Sequence, residues 1–224
     1  MVSFDPVPGT VVSVPLVMKI GHSIQERKTD IRRRLLRARK SLPTHQRQEK
    51  SRRILDRCRD LPTFESAAIV CSFIGCGDEV DTSALLRQLL GEGRRVAVPS
   101  QRAGTDRPAF SELFRWHDLT PNSLGILEPG RDSLRLVTTA SIPLFFVPGV
   151  GFDEDGRRIG LGLGYYDRAL SEASPQALRI GLSFEIQIVD HIPVTDHDLP
   201  MDIIVTENRV IEISSRPPLT KEVR

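Results

Sequence analysis

The sequence predicts an α/β protein with a three-layer α/β/α arrangement, in which helices cover both faces of a mostly parallel sheet. Short apolar stretches rich in valine, isoleucine and phenylalanine alternate with segments whose apolar residues recur every three or four positions. The first pattern is typical of strands buried on both faces, and the second of amphipathic helices. The chain has 224 residues, 39% hydrophobic and 27% charged, which is enough for one domain with a large core.

Two helices are predicted before the first strand. Apolar residues at helical spacing predict a helix over residues 24–41, and Pro43 ends it. Thr44 is suited to cap a second helix that runs to about Arg59. The residues of this second helix that we expect to face the core are Ile54, Leu55 and Cys58.

The rest of the chain alternates between strands and helices, which indicates parallel strands joined by helical crossovers. In such sheets ligands bind beyond the carboxyl ends of the strands. The predicted strands cover residues 67–73, 95–99, 109–115, 144–147, 178–183 and 202–205, with an edge strand over 210–213, and the predicted helices cover 82–90 and 165–173.

We expect one domain over residues 24–215, between a loop-like extension over residues 1–23 and a tail over residues 216–224. Both Met1 and Met18 are compatible with a start site. The chain has no run of 18 apolar residues, so no membrane span is predicted. We expect a cytoplasmic protein, because no signal peptide is evident and the three cysteines form an odd, sparse set that indicates a reducing compartment. These cysteines are Cys58, Cys71 and Cys76.

The net charge of +2 hides an uneven distribution. Residues 1–60 contain 15 lysines and arginines against 6 acidic residues. Such a basic segment is most simply a solvated helix face, although nucleic-acid binding or attraction of anionic small molecules would produce the same pattern.

Residues 147–170, VPGVGFDEDGRRIGLGLGYYDRAL, carry the strongest functional signal in the chain. Gly160, Gly162 and Gly164 follow a predicted strand and precede a predicted helix. Glycines allow the backbone to approach a ligand closely, and free amides before a helix favour anions. The spacing matches neither the Walker loop nor the Rossmann fingerprint. A tight bend that needs glycines only for its shape is the alternative.

A second loop is expected at the same edge of the sheet. Residues 75–79 follow the strand that ends near Phe73, as the glycine loop follows the strand that ends at Val147. We therefore expect Glu79 and the glycine loop to lie close together.

The glycine segment resembles the signature of the 5-formyltetrahydrofolate cyclo-ligases, also called methenyltetrahydrofolate synthetases. Twelve positions between Pro148 and Asp167 are in step with the family block P-G-x-x-F-D-x-x-G-x-R-x-G-x-G-x-G-Y-Y-D. The resemblance covers about residues 24–212. Shorter matches occur in order at Lys28-Thr-Asp-Ile-Arg32, Gly77-Asp-Glu-Val-Asp-Thr82, Gly125-Ile-Leu-Glu-Pro129, Asp196-His-Asp198-Leu-Pro-Met-Asp202 and Val205-Thr-Glu207.

This resemblance implies an ATP- and Mg²⁺-dependent ligase of one-carbon metabolism. Such an enzyme converts 5-formyltetrahydrofolate to 5,10-methenyltetrahydrofolate through a phosphorylated formyl intermediate and releases ADP and phosphate. Its partners would be ATP and a reduced folate, without nucleic acid or membrane, and we expect a monomer. The sequence does not determine the preference for polyglutamate tails.

The resemblance also implies roles for individual residues. Lys28, Arg32, Tyr165 and Asp167 are expected to act in catalysis, and Asp167 and Asp198 to hold Mg²⁺. The expected ATP contacts are Lys28, Arg32, Arg158, Ile159, Gly160, Leu161, Gly162, Leu163, Gly164, Tyr165 and Tyr166. The expected folate contacts are Ile74, Glu79, Leu161, Gly162, Leu163, Gly164 and Tyr165.

Each role has an ordinary structural alternative. Lys28 and Arg32 lie one helical turn apart and suit a triphosphate, but solvated cations would show the same spacing. Asp167 and Asp198 suit Mg²⁺, but a helix start and a turn also favour aspartate.

The chain departs from the family at two loop positions. Leu161 and Leu163 stand where relatives commonly have polar, aromatic, basic or glycine residues, so we expect ATP binding to persist and folate binding or turnover to be weaker. Two other functions stay open: a phosphate-handling enzyme of the sugar-phosphate isomerase type, and a non-enzymatic binder of nucleotide, folate or nucleic acid.

Overall fold

The structure of the protein is a computed structural model, and it describes residues 23–101, 108–122 and 125–213. The predicted C-terminal tail and most of the predicted N-terminal extension lie outside these residues. The extension's last residue, Ser23, accepts a hydrogen bond from the Glu26 amide and caps the first helix. The division into extension, domain and tail stays a prediction.

The described residues contain five α-helices and thirteen strands in chain order, with four short 3₁₀ turns. The helices are α1 (Ile24–Lys40), α2 (Thr44–Arg59), α3 (Pro62–Ser66), α4 (Ser83–Gly91) and α5 (Tyr165–Ser171). The strands are β1 (Ile69–Ser72), β2 (Arg95–Gln101), β3 (Pro108–Leu113), β4 (Leu119–Pro121), β5 (Leu127–Pro129), β6 (Leu136–Val137), β7 (Leu144–Pro148), β8 (Gly151–Asp153), β9 (Arg158–Ile159), β10 (Leu178–Leu182), β11 (Ile188–Val189), β12 (Ile203–Val205) and β13 (Val210–Glu212).

The main sheet has eight strands in the order β13-β12-β10-β7-β1-β2-β3-β6. The five central strands, from β12 to β2, run parallel, while β13, β3 and β6 pair antiparallel at the two edges. The predicted α/β class with a mostly parallel sheet is therefore confirmed.

The core is divided between the two faces of this sheet. On β1, Val70 packs with residues of α2 and α4, while Ile69 and Cys71 pack with residues of α5. This alternation follows from the two-residue period of a strand. Helices thus contribute to the core on both faces, as a three-layer arrangement requires.

The apolar residues whose helical spacing predicted α1 are Ile24, Ile31, Leu35, Ala38 and Leu42, but of these only Leu35 is buried. Ile24 is partly exposed, and the buried residues of the helix are Lys28, Leu35 and Arg39. The spacing of 7 and 4 residues keeps them on one side of the helix. The two cations are buried because each has an acidic partner.

Several other predictions need correction. Thr44 is the first residue of α2 rather than its cap, which is Pro43. The helix predicted over 165–173 ends at Ser171. Helix α3 and the strands of two to three residues β4, β5, β6, β8, β9 and β11 were not predicted, because elements of this length have no measurable periodicity.

No helix in the described part of the chain has both the length and the apolar character needed to cross a membrane.

Candidate active site

The carboxyl ends of two adjacent strands create the site. Strands β1 and β7 pair in parallel, with Cys71 opposite Phe145, so the loops that follow them leave the sheet at the same edge. Residues 75–79 follow β1, and residues 149–164 follow β7 through the β8–β9 hairpin. These loops and α1 enclose a pocket of about 430 Å³.

Every residue that the resemblance implicated lies on the wall of this pocket. The roles of these residues stay predictions, but their convergence is a property of the fold. The predicted residues that line it are Lys28, Arg32, Ile74, Glu79, Arg158, Ile159, Gly160, Leu161, Gly162, Leu163, Gly164, Tyr165, Tyr166, Asp167 and Asp198.

The glycine loop has a backbone that only glycine adopts easily at two positions. Gly162 has φ +100° and Gly164 has φ +62°, both outside the range favoured by other residues. The loop is held by Arg32, whose Nε donates a hydrogen bond to the Gly160 carbonyl at 2.9 Å. Because α5 has only seven residues, its dipole is a weaker source of anion attraction than the loop amides.

The side chains of Leu161 and Leu163 project away from the core. Leu161 is 62% exposed and Leu163 is 76% exposed, although both border the pocket. They therefore do not stiffen the loop by packing under it, and they are placed to meet whatever enters the pocket.

The two predicted metal ligands are each paired with a predicted phosphate ligand. The Lys28 ammonium forms an ion pair with Asp198 Oδ2, and Arg158 Nη2 lies 2.8 Å from Asp167 Oδ2. The Leu199 amide donates to Asp167 Oδ1 at 3.4 Å, so Asp167 lies beside the backbone that follows Asp198.

Asp198 is stabilised in its ionised form. Partial burial would raise the pKa of this carboxyl, but hydrogen bonds from Lys28 and from the Thr195 amide and hydroxyl outweigh it and lower the pKa. The two Thr195 bonds measure 2.6 and 2.9 Å and converge on Oδ2.

Glu79 has the opposite electrostatic setting. Burial raises its pKa, while a hydrogen bond from the Cys76 amide and the nearby Arg39 guanidinium partly offset this effect. Arg39 does not line the pocket but forms an ion pair with Asp78, next to Glu79 in the chain.

The two adjacent tyrosines have different surroundings. The Tyr165 hydroxyl donates to the Ala109 carbonyl at 2.8 Å, and burial raises its pKa to about 12. The Tyr166 hydroxyl is buried and has no hydrogen-bond partner among the described residues. Burial also raises the pKa of Tyr166. Both groups are therefore protonated at neutral pH, which makes Tyr166 an available donor at the pocket wall.

Some lining residues were missed by the sequence analysis. Those on the β4–β5 hairpin fall partly within the match Gly125-Ile-Leu-Glu-Pro129, which was noticed but given no role. Pro148 and Gly149 belong to the matched block and Cys76 lies in the loop over residues 75–79, but neither pattern implied a role for them; the remaining residues have no pattern of their own. The missed residues are Gln25, Phe73, Cys76, Pro99, Ser100, Asn122, Ile126, Leu127, Glu128, Pro148, Gly149, Val150 and Thr195.

A second group of possible metal ligands lies away from the pocket. Asp153, Asp155 and His191 offer three ligand atoms close together. Arg157 already contacts all three of these side chains. We therefore interpret this group as a structural ion-pair network.

The fold and the pocket define an α/β domain with a glycine-loop site at the carboxyl edge of a parallel sheet. The chain belongs to the 5-formyltetrahydrofolate cyclo-ligase family, whose model matches residues 24–207. The resemblance found in the sequence is thereby confirmed, and the chain is a member of an enzyme family.

Curated relatives carry the same family name. The chain is 30% identical to the mitochondrial 5-formyltetrahydrofolate cyclo-ligase of Arabidopsis thaliana over 87% of this chain and 79% of that protein. It is 30% identical to the Escherichia coli K12 cyclo-ligase over 78% of this chain and 97% of that protein. It is 31% identical to the Mycolicibacterium smegmatis cyclo-ligase over 82% and 95%.

Solved structures agree with the fold. The solution structure of Aquifex aeolicus 5,10-methenyltetrahydrofolate synthetase matches with a TM-score of 0.75 and 27% identity, over 87% of this chain and 97% of that one. The Mycoplasma pneumoniae 5,10-methenyltetrahydrofolate synthetase matches with a TM-score of 0.64 and 21% identity, over 80% and 98%; at this identity the match supports the fold alone.

Proposed function

We propose that this protein is an ATP- and Mg²⁺-dependent 5-formyltetrahydrofolate cyclo-ligase, which forms 5,10-methenyltetrahydrofolate, ADP and phosphate. The observation that carries the proposal is the convergence of the glycine loop, two cations of α1, two aspartates and Glu79 on one pocket. The cations and the glycine loop suit phosphate, the aspartates suit a metal ion, and Glu79 suits a folate. A ligase of this kind needs all three groups in one pocket.

The nucleotide is expected at the end of the pocket formed by α1 and the glycine loop. Lys28 supplies a compact positive charge, Arg32 fixes the Gly160 carbonyl, and the loop amides supply donors that do not depend on side chains. This end holds the triphosphate by charge and by backbone hydrogen bonds.

The folate is expected at the end formed by Glu79 and Ile74. An ionised Glu79 accepts two hydrogen bonds from the amino-pyrimidinone edge of a pterin, and the buried Ile74 side chain packs against the ring. Tyr166, for which the resemblance implied an ATP contact, has a buried hydroxyl without a hydrogen-bond partner among the described residues, so we propose it as a donor to either ligand.

The two aspartates fit a magnesium ion. Asp198 Oδ1 receives no hydrogen bond from the described residues, and Asp167 Oδ1 receives only the 3.4 Å contact from Leu199. Each carboxylate therefore has an oxygen for a cation that prefers one or two carboxylates together with phosphates. When bound, Mg²⁺ would neutralise charge on the transferring phosphoryl group.

The chemistry requires positioning more than proton transfer. The formyl oxygen attacks the γ-phosphorus of ATP and displaces ADP. The neighbouring folate nitrogen then bonds to the formyl carbon and gives up its proton, and phosphate leaves with the formyl oxygen. Lys28 and the loop amides stabilise negative charge on the phosphoryl oxygens, and Glu79 orients the folate for in-line attack. His197 is exposed and does not line the pocket, so no imidazole is assigned to the reaction.

One experiment tests this function. The purified protein is incubated with 5-formyltetrahydrofolate, ATP and Mg²⁺, and both the methenyl chromophore and ADP are measured. We expect the chromophore only when nucleotide and metal are both present, with one ADP per ring closed. Ring closure at full rate without nucleotide would contradict the ligase function.

The monomeric form and the cytoplasmic location also stay predictions. Relatives include a mitochondrial protein as well as bacterial ones, so relationship alone does not place the protein in a compartment.

A further inference from the structure

We propose that Lys28 and Asp198 neutralise each other until a magnesium–nucleotide complex separates them, with Lys28 turning to phosphate and Asp198 to the metal. The binding of metal and the binding of nucleotide then depend on each other. Metal alone would leave Lys28 without a negative partner, and nucleotide alone would leave Asp198 without a positive one. This inference rests on the proposed function and concerns how the same site is filled.

The pair joins two elements that meet only at the pocket. Lys28 lies on α1 and Asp198 lies in the turn after Thr195, 170 residues further along the chain. The side chains are 9% and 21% exposed, so neither charge is well solvated. Leaving one charge of such a pair without a partner is costly, whereas exchanging both partners at once is not.

Asp198 keeps its position without Lys28. The Thr195 amide and hydroxyl both donate to Oδ2, the same oxygen that Lys28 contacts. Three donors crowd one oxygen, while Oδ1 receives no hydrogen bond from the described residues. Departure of the ammonium would leave the carboxylate held and oriented, which a metal ligand requires.

The second ion pair of the site, between Arg158 and Asp167, is expected to remain intact when ligands bind. Arg158 contacts Asp167 at 2.8 Å and the Pro148 carbonyl at 3.3 Å, and its side chain is only 5% exposed. The fork of the guanidinium is thus fixed by two elements, whereas Lys28 has a flexible stem and a single partner among the described residues. We therefore assign the exchange to Lys28 and a positioning role to Arg158.

The consequence is a reciprocal coupling. A free metal ion approaching Asp198 Oδ1 is repelled by the Lys28 ammonium, which contacts Oδ2 of the same carboxylate, and a free triphosphate approaching Lys28 is repelled by that carboxylate. The complex of the two brings both opposite charges, so each ligand should strengthen the binding of the other. Couplings of this kind typically amount to about 5- to 150-fold in affinity.

The test measures metal binding without nucleotide, with Mn²⁺ as a paramagnetic substitute for Mg²⁺. Lys28→Met should bind Mn²⁺ alone about tenfold or more tightly than the unaltered protein. Arg32→Met is the matched control. It removes a cation from the same helix face and the same pocket, but this cation contacts the Gly160 carbonyl rather than a carboxylate. It should change Mn²⁺ affinity less than about threefold.

Two further measurements make the result specific. Adding Asp198→Asn to the Lys28→Met protein should abolish the gain, which separates this site from the group Asp153, Asp155 and His191. The factor by which Mn²⁺ strengthens ATP binding should shrink in Lys28→Met. Lys28→Gln provides a second variant if methionine at this position impairs folding.

Three results would overturn the inference: tight Mn²⁺ binding by the unaltered protein without nucleotide, no gain in either Lys28 variant, or equal gains for Lys28→Met and Arg32→Met. The methenyl assay is read separately. If ring closure occurs while one of these results holds, only the exchange is wrong. If ring closure does not occur, the proposed function fails whatever the metal does.

Discussion

The Arg39 guanidinium lies 2.9 Å from Asp78 Oδ1 and joins the last turn of α1 to the loop that carries Glu79. At the other end of the same helix face, Lys28 pairs with Asp198. Eleven residues of helix separate the two cations, or about 16 Å. Because both cations lie on one rigid helix, α1 fixes the distance between Asp198, at the proposed metal end of the pocket, and Asp78, next to the proposed folate end.

Arg39→Met should weaken folate binding while leaving ATP binding nearly unchanged. Arg39 lowers the pKa of Glu79, so the loss of Arg39 raises that pKa further. As the solution is acidified, the variant should therefore lose folate affinity at a higher pH than the unaltered protein does. Stability should decrease by about 2–3 kcal/mol, below the usual cost of breaking a fully buried pair because Asp78 is a quarter exposed.

The measurement is calorimetric titration of each ligand across a pH series. Arg37→Met is the control, since Arg37 lies in the same turn but is exposed. A pH profile identical to that of the unaltered protein would show that Arg39 has only a structural role.

Glu79→Gln should weaken folate binding strongly and ATP binding little, yet make the folded protein more stable at neutral pH. The pKa of Glu79 is raised above 4.5 by burial, so the folded state prefers the protonated form. The protonated carboxyl contributes its full stabilisation at pH values below the pKa of Glu79 in the unfolded chain. This stabilisation is lost as the pH rises through the higher pKa of Glu79 in the folded protein. Glutamine is neutral at both pH values, so the variant does not lose this stabilisation at neutral pH.

Thermal unfolding at neutral pH and near pH 4 distinguishes the two effects. The variant should have the higher melting temperature at neutral pH, and the difference should vanish at low pH. An equal loss of affinity for both ligands, or a lower melting temperature at neutral pH, would indicate that Glu79 has another role.

Much of the fold could be predicted because its central strands are long and apolar enough to be recognised. Strands such as Leu144–Pro148 and Arg95–Gln101 deviate from prediction by one or two residues at an end. The short hairpins β4–β5 and β8–β9 could not be predicted, since strands of two or three residues depend on tertiary contacts and leave no periodic pattern.

The residues that line the site were predictable where they lie in a motif that resembles the family's, whereas a residue that supports the site from outside the pocket was not. The glycine loop and Asp167 lie within 10 residues of sequence. By contrast, Arg39 has the same local appearance as the exposed Arg33, Arg34 and Arg37. Its partners distinguish it: Asp78 is 39 residues away and the Gly149 carbonyl is 110 residues away. No rule of spacing relates such a pair.

Asp167→Asn should reduce turnover about 30- to 1,000-fold, equivalent to about 2–4 kcal/mol of transition-state stabilisation. The amide keeps the shape of the side chain but removes the charge that a metal on the transferring phosphate would need. Its ion pair with Arg158 also weakens. Turnover is measured at limiting Mg²⁺, and Glu172→Gln, an exposed carboxylate just beyond α5, is the control. Near-normal turnover in folded Asp167→Asn protein would exclude a metal-ligand role.

Leu163→Gly should leave the fold and ATP binding intact and should improve folate-dependent turnover, or at least not reduce it. The Leu163 side chain is 76% exposed, so its removal costs little burial, and added backbone freedom should cost at most about 1 kcal/mol of stability. The loop amides remain available to phosphate because their donors belong to the backbone.

The gain is expected at the folate step, since a branched apolar side chain at the pocket rim occupies room without offering a hydrogen bond. Leu163→Ala separates this effect from backbone flexibility: if bulk is the obstacle, alanine and glycine should act alike. Turnover is measured at saturating ATP and varied 5-formyltetrahydrofolate. If both variants fold and bind ATP but lose turnover, the exposed leucines contribute to substrate binding, and a substrate with an apolar surface at this position would replace 5-formyltetrahydrofolate as the better proposal.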